Sequence, residues 1–308
     1  MKFLVSHKHK IVNFIIILFL ILLTILLIIP ENKKEETVQV LNPINITKNY
    51  TYDLTGNGSL DTLSVMSKND CIDIKILADN RTYYLSDLCK NNKLSSELSF
   101  WPIKIYIKNI SRHTHPEIIV QGNIDKKAVN YIFTWKNDKF INILNDNKNI
   151  LGILDSDGKK TSQICLVDSS SGIQSFNSYM LIDNKALDIT SDGKTIYDIN
   201  NIQKFIDIIE KTYEIDEIPN IFKEGISDSE LSSLWNLDKE HNTYSFQNGF
   251  FYDENIDNQG NITSLKWTLN FEKYSKSDNN ASNDQIVIHL TSERINDNTF
   301  KISSFYVS

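Results

Sequence analysis

The alternation of apolar and polar positions divides the chain into three parts, and the first is a run from Ile11 to Ile29. Ile, Leu, Phe and Val fill this run, and only Asn13 and Thr24 interrupt it. At about 1.5 Å of rise per residue, a helix of this length covers roughly 28 Å, which is close to the hydrocarbon thickness of a bilayer. The pattern therefore predicts a transmembrane helix over residues 11–29.

The charges that flank the apolar run predict its orientation. Lys2, Lys8 and Lys10 precede it without an acidic residue, whereas residues 31–36 mix lysine with glutamate. The positive-inside rule then places residues 1–10 in the cytoplasm and residues 31–308 outside the cell membrane. A cleaved signal peptide is the alternative, but its apolar core would be shorter, about 7–15 residues, and small residues would follow it. We expect an uncleaved single-pass anchor, followed by a polar linker at 30–49.

The second part, residues 50–198, consists of short β-like runs separated by Asp, Asn and Gly. Runs this short, with turns this frequent, are typical of an all-β domain. We expect a β-repeat domain over 50–198 whose strands include 62–66, 72–77, 102–107, 117–121, 130–135 and 178–182.

A loop also recurs within this part, at residues 53–61, 109–117 and 154–161, and each copy leads into a strand. The copies are 56 and then 46 residues apart, a period typical of β-propeller blades. A closed propeller needs about four blades or more, and this part of the chain holds fewer. The spacing therefore predicts an incomplete propeller-like arc or a small curved stack of sheets.

The third part, residues 199–308, begins with a helical stripe and ends with four alternating runs. Asn200 is a candidate N-cap, Pro219 ends the segment, and a second short helix is predicted from Ser229 to Leu237. A helix followed by four antiparallel strands predicts an α+β domain that resembles the cystatin-like folds in element order. The stripe consists of Ile202, Phe205, Ile206, Ile209 and Tyr213, and the strands lie near 244–253, 264–274, 285–290 and 300–307.

The charge of the chain limits its partners. The formal net charge is −7, and it becomes −10 when the three lysines of the first ten residues are left out. An external part this acidic argues against nucleic acid and anionic lipid as partners and is compatible with divalent cations. We expect the partner to be an unidentified protein or envelope ligand, apart from the membrane itself.

Three cysteines are an odd number for an exported protein. If residues 79–81 form a three-residue hairpin loop, Cys71 lies opposite Cys89 and a disulfide becomes geometrically feasible. Two half-buried thiols are the alternative. Cys165, within an apolar run, is predicted to be a buried strand residue.

The strongest candidate site is the first copy of the loop, residues 53–61. Calcium takes about six to eight oxygen ligands, and a loop supplies them from alternate positions when a glycine at the sixth lets the chain turn. Gly58 is the sixth residue here. A glycine-rich Asx turn without an ion is the alternative. The candidate ligands are the side chains of Asp53, Thr55, Asn57 and Asp61, together with the carbonyl of Ser59.

This loop resembles the D-x-[DN]-x-[DN]-G-x-x-D loops of FG-GAP and VCBS repeats. With the WPIKIYIKNIS run at 101–111 and the YIFTWKNDKF run at 131–140, the chain as a whole resembles membrane-anchored VCBS repeat-containing proteins of clostridia-like bacteria. The resemblance implies an extracytoplasmic repeat module and no established reaction. Thr55 and Asn57 stand where the family often has acids, so the resemblance implies weak calcium binding.

The other chemical motifs are weaker. The second copy of the loop offers His113, His115 and Glu117, a set that could suggest a transition metal but contains a proline and no third histidine. Residues 192–195 end like a phosphate loop whose first glycine is missing. We therefore expect a non-enzymatic, extracytoplasmic binding protein with a calcium-stabilised loop. The alternative is an envelope-associated, hydrolase-like enzyme whose pocket lies in the C-terminal α+β domain.

Overall fold

The computed structural model describes residues 41–155, 160–170, 172–193, 195–196, 198–212, 218–276, 283–297 and 299–308. The predicted membrane span at 11–29 and the predicted cytoplasmic residues 1–10 lie outside this part of the chain. Within it, we find no helix with the length and apolar character needed to cross a membrane. The described chain is mainly β with few helices, and Val40–Ser308 forms one unit.

The first of three sheets contains five antiparallel strands: β1 (Tyr50–Tyr52), β2 (Asp61–Lys68), β3 (Cys71–Ala78), β4 (Arg81–Tyr84) and β5 (Ser95–Ser96). Its order is β1-β2-β3-β4, and β5 pairs with β3. A two-residue turn joins β3 to β4, because Asp79 and Asn80 both adopt positive φ, at 50° and 57°. Asn and Asp tolerate this conformation, which matches the twist of a hairpin.

That turn corrects the predicted three-residue hairpin loop and the register that depended on it. Ile76 lies opposite Tyr83, one position away from the predicted pairing. Cys71 instead pairs with Ser96 of β5, and Cys89 follows a 3-10 turn. Both are free thiols, so the disulfide does not form in this structure. Cys165 is a buried strand residue, as predicted.

The second sheet is a four-stranded antiparallel meander: β6 (Lys104–Lys108), β7 (Glu117–Ile124), β8 (Lys127–Lys136) and β9 (Lys139–Asp146). Both of its faces are covered. Ile118 and Phe133 pack in one apolar cluster with the first sheet, whereas Ile119 and Ile132 pack in another with the third sheet. Because both faces are covered, β7 and β8 are buried along almost their whole length, and each has a continuous apolar run, 118–120 and 131–133, without the alternation of a half-exposed strand.

The third sheet has eight strands: β10 (Ile150–Leu154), β11 (Gln163–Asp168), β12 (Ser175–Ile182), β13 (Lys185–Asp188), β14 (Asn242–Ile256), β15 (Ile262–Ser275), β16 (Asp284–Asn296) and β17 (Thr299–Val307). The order is β13-β12-β11-β10-β14-β15-β16-β17, and β10 pairs with β14 in parallel. The four predicted C-terminal strands therefore exist, but they form half of a sheet that crosses the predicted domain boundary at 198/199. The parallel contact is close, since a Cβ on Gly152 would collide with the Phe251 ring.

Two helices accompany the third sheet, α1 (Ile199–Glu210) and α2 (Asp228–Trp235). The predicted stripe of α1 is buried in the cluster that includes Phe251, Trp267 and Phe305, except that Tyr213 lies outside the described residues. The N-cap residue of α1 is Asp198 and not Asn200. The second helix begins at a capping box in which Ser227 and Glu230 satisfy each other's backbone N–H groups.

Candidate functional site

The predicted calcium loop lies between β1 and β2 and is held closed by its two carboxylates. Asp61 Oδ2 accepts hydrogen bonds from the backbone N–H groups of Leu54 (2.8 Å) and Thr55 (3.1 Å). Asp53 accepts three more, from the N–H groups of Gly56 (2.7 Å), Asn57 (3.2 Å) and Gly58 (2.8 Å). Both acids therefore bind backbone within their own loop.

The other predicted ligands divide into two groups. Asn57 turns towards its neighbours, because its Oδ1 accepts from the Ser59 N–H (2.6 Å) and its Nδ2 donates to Asp79 (2.6 Å). Thr55 instead is buried beside Asp61, and its hydroxyl falls short of hydrogen-bond geometry with any described group. The structure therefore brings Asp53, Thr55 and Asp61 together, while Ser59 is exposed.

Asp53, Thr55 and Asp61 are the side chains of this loop that would offer oxygen ligands to a cation. Burial raises the pKa of Asp61 above its usual value, the two backbone N–H groups and the adjacent Thr55 hydroxyl oppose this rise, and the nearby charge of Asp53 adds to it. Carboxylate and hydroxyl oxygens are ligands for calcium. Three side chains are fewer than the six to eight oxygens that calcium takes, so water would complete its shell. Among the described residues, no group of three or more His, Cys, Asp or Glu is arranged to hold a metal.

The second loop, residues 109–117, repeats the closure of the first. Glu117 Oε2 accepts from the backbone N–H groups of Ile110 (2.8 Å) and Ser111 (3.3 Å), seven and six residues earlier, as Asp61 does with Leu54 and Thr55. The Ser111 hydroxyl donates to the other carboxylate oxygen of Glu117. The recurrence that the sequence indicated is therefore present in the hydrogen bonding of both loops.

The second loop differs in the residues that could bind an ion. Asn109 occupies the place of Asp53, and its side-chain amide donates to the carbonyl of His113. His115 Nε2 lies 3.2 Å from the hydroxyl of Thr134, and Glu117 is fully occupied by its own loop. The histidine and glutamate side chains therefore do not form a metal site. Burial lowers the pKa of His115, which is consistent with a neutral packed imidazole.

The two loops are in contact through Gly56. A Cβ atom at this position would lie 2.6 Å from Thr114 Oγ1 and 3.3 Å from His115 Nδ1, and Gly56 has a φ of +75°. Arg112 occupies the matching position in the second loop, also with a positive φ of 62°. Both loops therefore make the same backbone turn. Only the first loop requires a glycine there, because its turn contacts the second loop. Half of the third copy of the loop, residues 156–159 of 154–161, lies outside the described residues.

A second candidate region, which sequence reasoning missed, is a groove of about 560 Å³ between β6 and the strands β14–β17. Its lining comes from residues 41–43, from β6 and from β14–β17, three parts of the chain that are far apart in the sequence, so no local motif could reveal it. The sequence signal for this groove is Lys104, a lysine between Ile103 and Ile105 at an inward position of β6. Among the side chains that line it are Lys104, Tyr106, Tyr252, Lys266, His289 and Tyr306.

No protein-family model matches the chain, and comparison with curated proteins gives no match. The function therefore has to be argued from the two loops and from the groove.

Proposed function

We propose that this chain is a single-pass membrane protein whose residues 31–308 act outside the cell as a non-enzymatic binding module. In this proposal, calcium binds weakly to the loop at 53–61 and stabilises it. The stacked sheets of residues 50–198 correspond to an incomplete, propeller-like FG-GAP or VCBS arc, and α1 with β14–β17 corresponds to the cystatin-like part. The groove between the second and third sheets is the ligand surface.

The observation that carries the proposal is the shared closure of the two loops. In each, the first residue of a strand is an acid whose carboxylate binds the N–H groups seven and six residues earlier. The same spacing in both loops supports the interpretation that they are copies of one repeat, and repeated units stack into extended binding surfaces. The meander of β6–β9, packed between two other sheets, supports this interpretation.

Calcium titration of the purified full-length chain tests the ion in this proposal. If the dissociation constant is about 1 mM, typical of extracellular modules, then 5 mM calcium raises the free energy of unfolding by about 1 kcal/mol. Thermal melting with calcium, with the same concentration of magnesium and with a chelator measures the shift. Asp53→Asn is the matched variant and should lose the shift. A melting temperature that calcium leaves unchanged would remove the ion from the proposal.

Protease treatment of intact cells tests the topology. The proposal expects the chain to sediment with membranes and expects the region after residue 31 to be cleaved by external protease. Protection of this region in intact cells, followed by cleavage after lysis, would place it in the cytoplasm and contradict the predicted orientation.

One observation favours an enzymatic alternative. Thr268 Oγ1 lies 3.3 Å from His289 Nδ1 in the groove, and a hydroxyl beside an imidazole is an arrangement that nucleophilic enzymes use. Among the described residues that line the groove, however, there is no carboxylate to orient the imidazole. Thr268→Val tests this alternative: an esterase or glycosidase activity of the full-length chain that disappears in the variant would favour it over the binding module.

A further inference from the structure

The groove contains a lysine whose charge has no counter-charge in the described structure. Lys104 Nζ donates to the side-chain oxygen of Asn270, and no described carboxylate lies within ion-pair distance of it. Asn270 is fully buried and is held by Asn248, whose side-chain oxygen accepts its amide at 2.7 Å. The amide therefore presents a fixed oxygen to the ammonium group, but it supplies no negative charge.

Lys104 is partly buried, and its side chain lines the groove. Burial lowers its pKa to about 8, so the ammonium form still predominates at neutral pH. A partly buried charge with a single neutral partner is less favourable than one with a counter-charge. Since the described residues do not supply one, a bound anion is the natural counter-charge.

The other ionisable groups of the groove do not duplicate this charge. Lys266 forms an ion pair with Glu254 at 2.6 Å, so its charge is already compensated. Burial and the charge of Lys104 lower the pKa of His289, which keeps this imidazole neutral. Tyr106 and Tyr252 are buried, and burial raises the pKa of both phenols. Among the described side chains of the groove, Lys104 therefore carries the positive charge that has no ion-pair partner, which matches one negative charge on a ligand.

The other side chains that line the groove indicate the chemical character of the uncharged part of the ligand. Tyr306 is 60% exposed, and its ring stacks on His289 with centroids 4.7 Å apart, so it is a supported aromatic platform at the edge strand. Thr268, Thr291 and Ser304 add hydroxyl groups to the same groove. An aromatic face beside several hydroxyls suits a ring that is apolar on one side and rich in hydroxyls at its edge. A pyranose has this character, and the volume of the groove lies within the usual range for small ligands, about 300–1,000 Å³.

We propose that the groove binds a sugar acid, a pyranose carrying one carboxylate, with the carboxylate on the Lys104 ammonium group and the ring against Tyr306. This inference rests on the proposed function, because it names the ligand class of the binding module. No covalent step is involved. Lys104 acts as an ion-pair partner that donates a charge-assisted hydrogen bond to the ligand carboxylate.

Isothermal titration calorimetry of the full-length chain tests the inference. The probes are glucuronate, galacturonate and mannuronate, with glucose as the neutral control and glucose 6-phosphate as the doubly charged one. We expect at least one sugar acid to bind at least tenfold more tightly than glucose and glucose 6-phosphate. Failure of all three sugar acids to bind at 10 mM would overturn the inference, and so would equal binding of glucose or preferential binding of the phosphate.

Matched variants assign the binding to Lys104. Lys104→Met should weaken sugar-acid binding at least tenfold, and Lys104→Arg should restore most of it, whereas Lys93→Met should change it less than twofold because Lys93 pairs with Asp125 outside the groove. Tyr306→Ala, on the exposed edge strand, gives a second variant that should weaken binding if Lys104→Met does not fold. Unchanged binding in both Lys104→Met and Tyr306→Ala would overturn the inference. A chain that calcium stabilises but that binds no sugar acid would reject only this inference, since the calcium test of the proposed function is independent of the groove.

Discussion

Glu117 and Lys104 are charges of opposite sign less than fifteen residues apart, and the fold treats them differently. Glu117 is completely buried, and three donors of its own loop surround its carboxylate. Lys104 reaches one neutral oxygen, which comes from a strand 166 residues away. A charge satisfied by nearby backbone is a structural element of its loop, whereas a charge left uncompensated beside a groove is available to a ligand. Glu117 is therefore a structural residue of its loop, whereas Lys104 is a candidate ligand-binding residue.

Glu117→Ala should have the largest effect on stability among the changes considered for the two loops. Removal of the carboxylate leaves the buried N–H groups of Ile110 and Ser111 without an acceptor, and each unsatisfied group costs about 1–3 kcal/mol. We therefore expect the free energy of unfolding to fall by about 3–4 kcal/mol. Urea denaturation of the full-length chain measures it.

The control for this change is Glu117→Gln, which keeps an oxygen for the two N–H groups. It should cost less than half as much as the alanine variant. Equal losses in the two variants would mean that the packing of the side chain matters more than its acceptor, and the structural role assigned to the carboxylate would be wrong.

Gly56→Ala should have the next largest effect, because Gly56 is where the two loops touch. The added Cβ meets the Thr114 hydroxyl at 2.6 Å, and the residue has a φ of +75°. Strain and overpacking together should cost about 2–3 kcal/mol. Gly58→Ala is the matched control, since it has a φ of +85° and no atom within 4 Å of the new Cβ, and it should cost about 1 kcal/mol. Chemical denaturation compares the two, and equal losses would contradict the contact between the loops.

The sequence predicts local features of this fold well, because they are encoded by neighbouring residues. The run at 62–66 lies within β2, and the stripe from Ile202 to Ile209 is the buried face of α1. The loop at 53–61 was also identified, together with its second copy. In these cases the partners are close in sequence: Asp61 binds N–H groups that are only seven and six residues away.

What the sequence could not predict depends on partners that are far apart. The parallel pairing of β10 with β14 joins Ile150 to Gly249, and neither strand carries a mark of the other. Asp198 is the N-cap of α1 in place of Asn200, and its carboxylate accepts hydrogen bonds from Trp267 and Ser292, which are 69 and 94 residues away. The groove is missed for the same reason, since Lys104 looks like any lysine on an alternating strand until Asn270 is placed beside it.

Asp198 shares features with both Glu117 and Lys104, because hydrogen bonds satisfy only part of its buried carboxylate. We therefore expect the stability of the fold to depend on pH. It is completely buried, and its Oδ2 accepts from Trp267 and Ser292, but its Oδ1 has no hydrogen-bond partner in the described structure. Burial raises its pKa to about 6. A raised pKa means that the folded state binds the proton more tightly, so the stabilisation is complete below the unfolded pKa and is lost as the pH rises through 6.

The size of the effect follows from the shift, at roughly 1.4 kcal/mol per pKa unit. Between pH 4.5 and 7.5, the wild-type chain should lose roughly 2 kcal/mol relative to Asp198→Asn, which keeps an oxygen for both donors and does not titrate. Denaturation of both chains across this range measures the difference. A constant difference between them would show that Asp198 does not titrate there.

The smallest predicted effect compares the two loops directly as cation sites. Thr55→Asp should add a third carboxylate to the loop at 53–61, where the wild-type hydroxyl is buried without a hydrogen bond. Repulsion among three acids should lower stability in a chelator, and calcium should then raise it by about 1 kcal/mol more than in the wild type. Ser111→Asp makes the equivalent change in the second loop, where Asn109 replaces the first acid. It should gain a smaller calcium response, because Asn109 leaves this loop with two carboxylates where the first loop would have three. Equal calcium responses in the two variants would mean that added charge alone attracts the ion, and that the geometry of the first loop has no part in binding it.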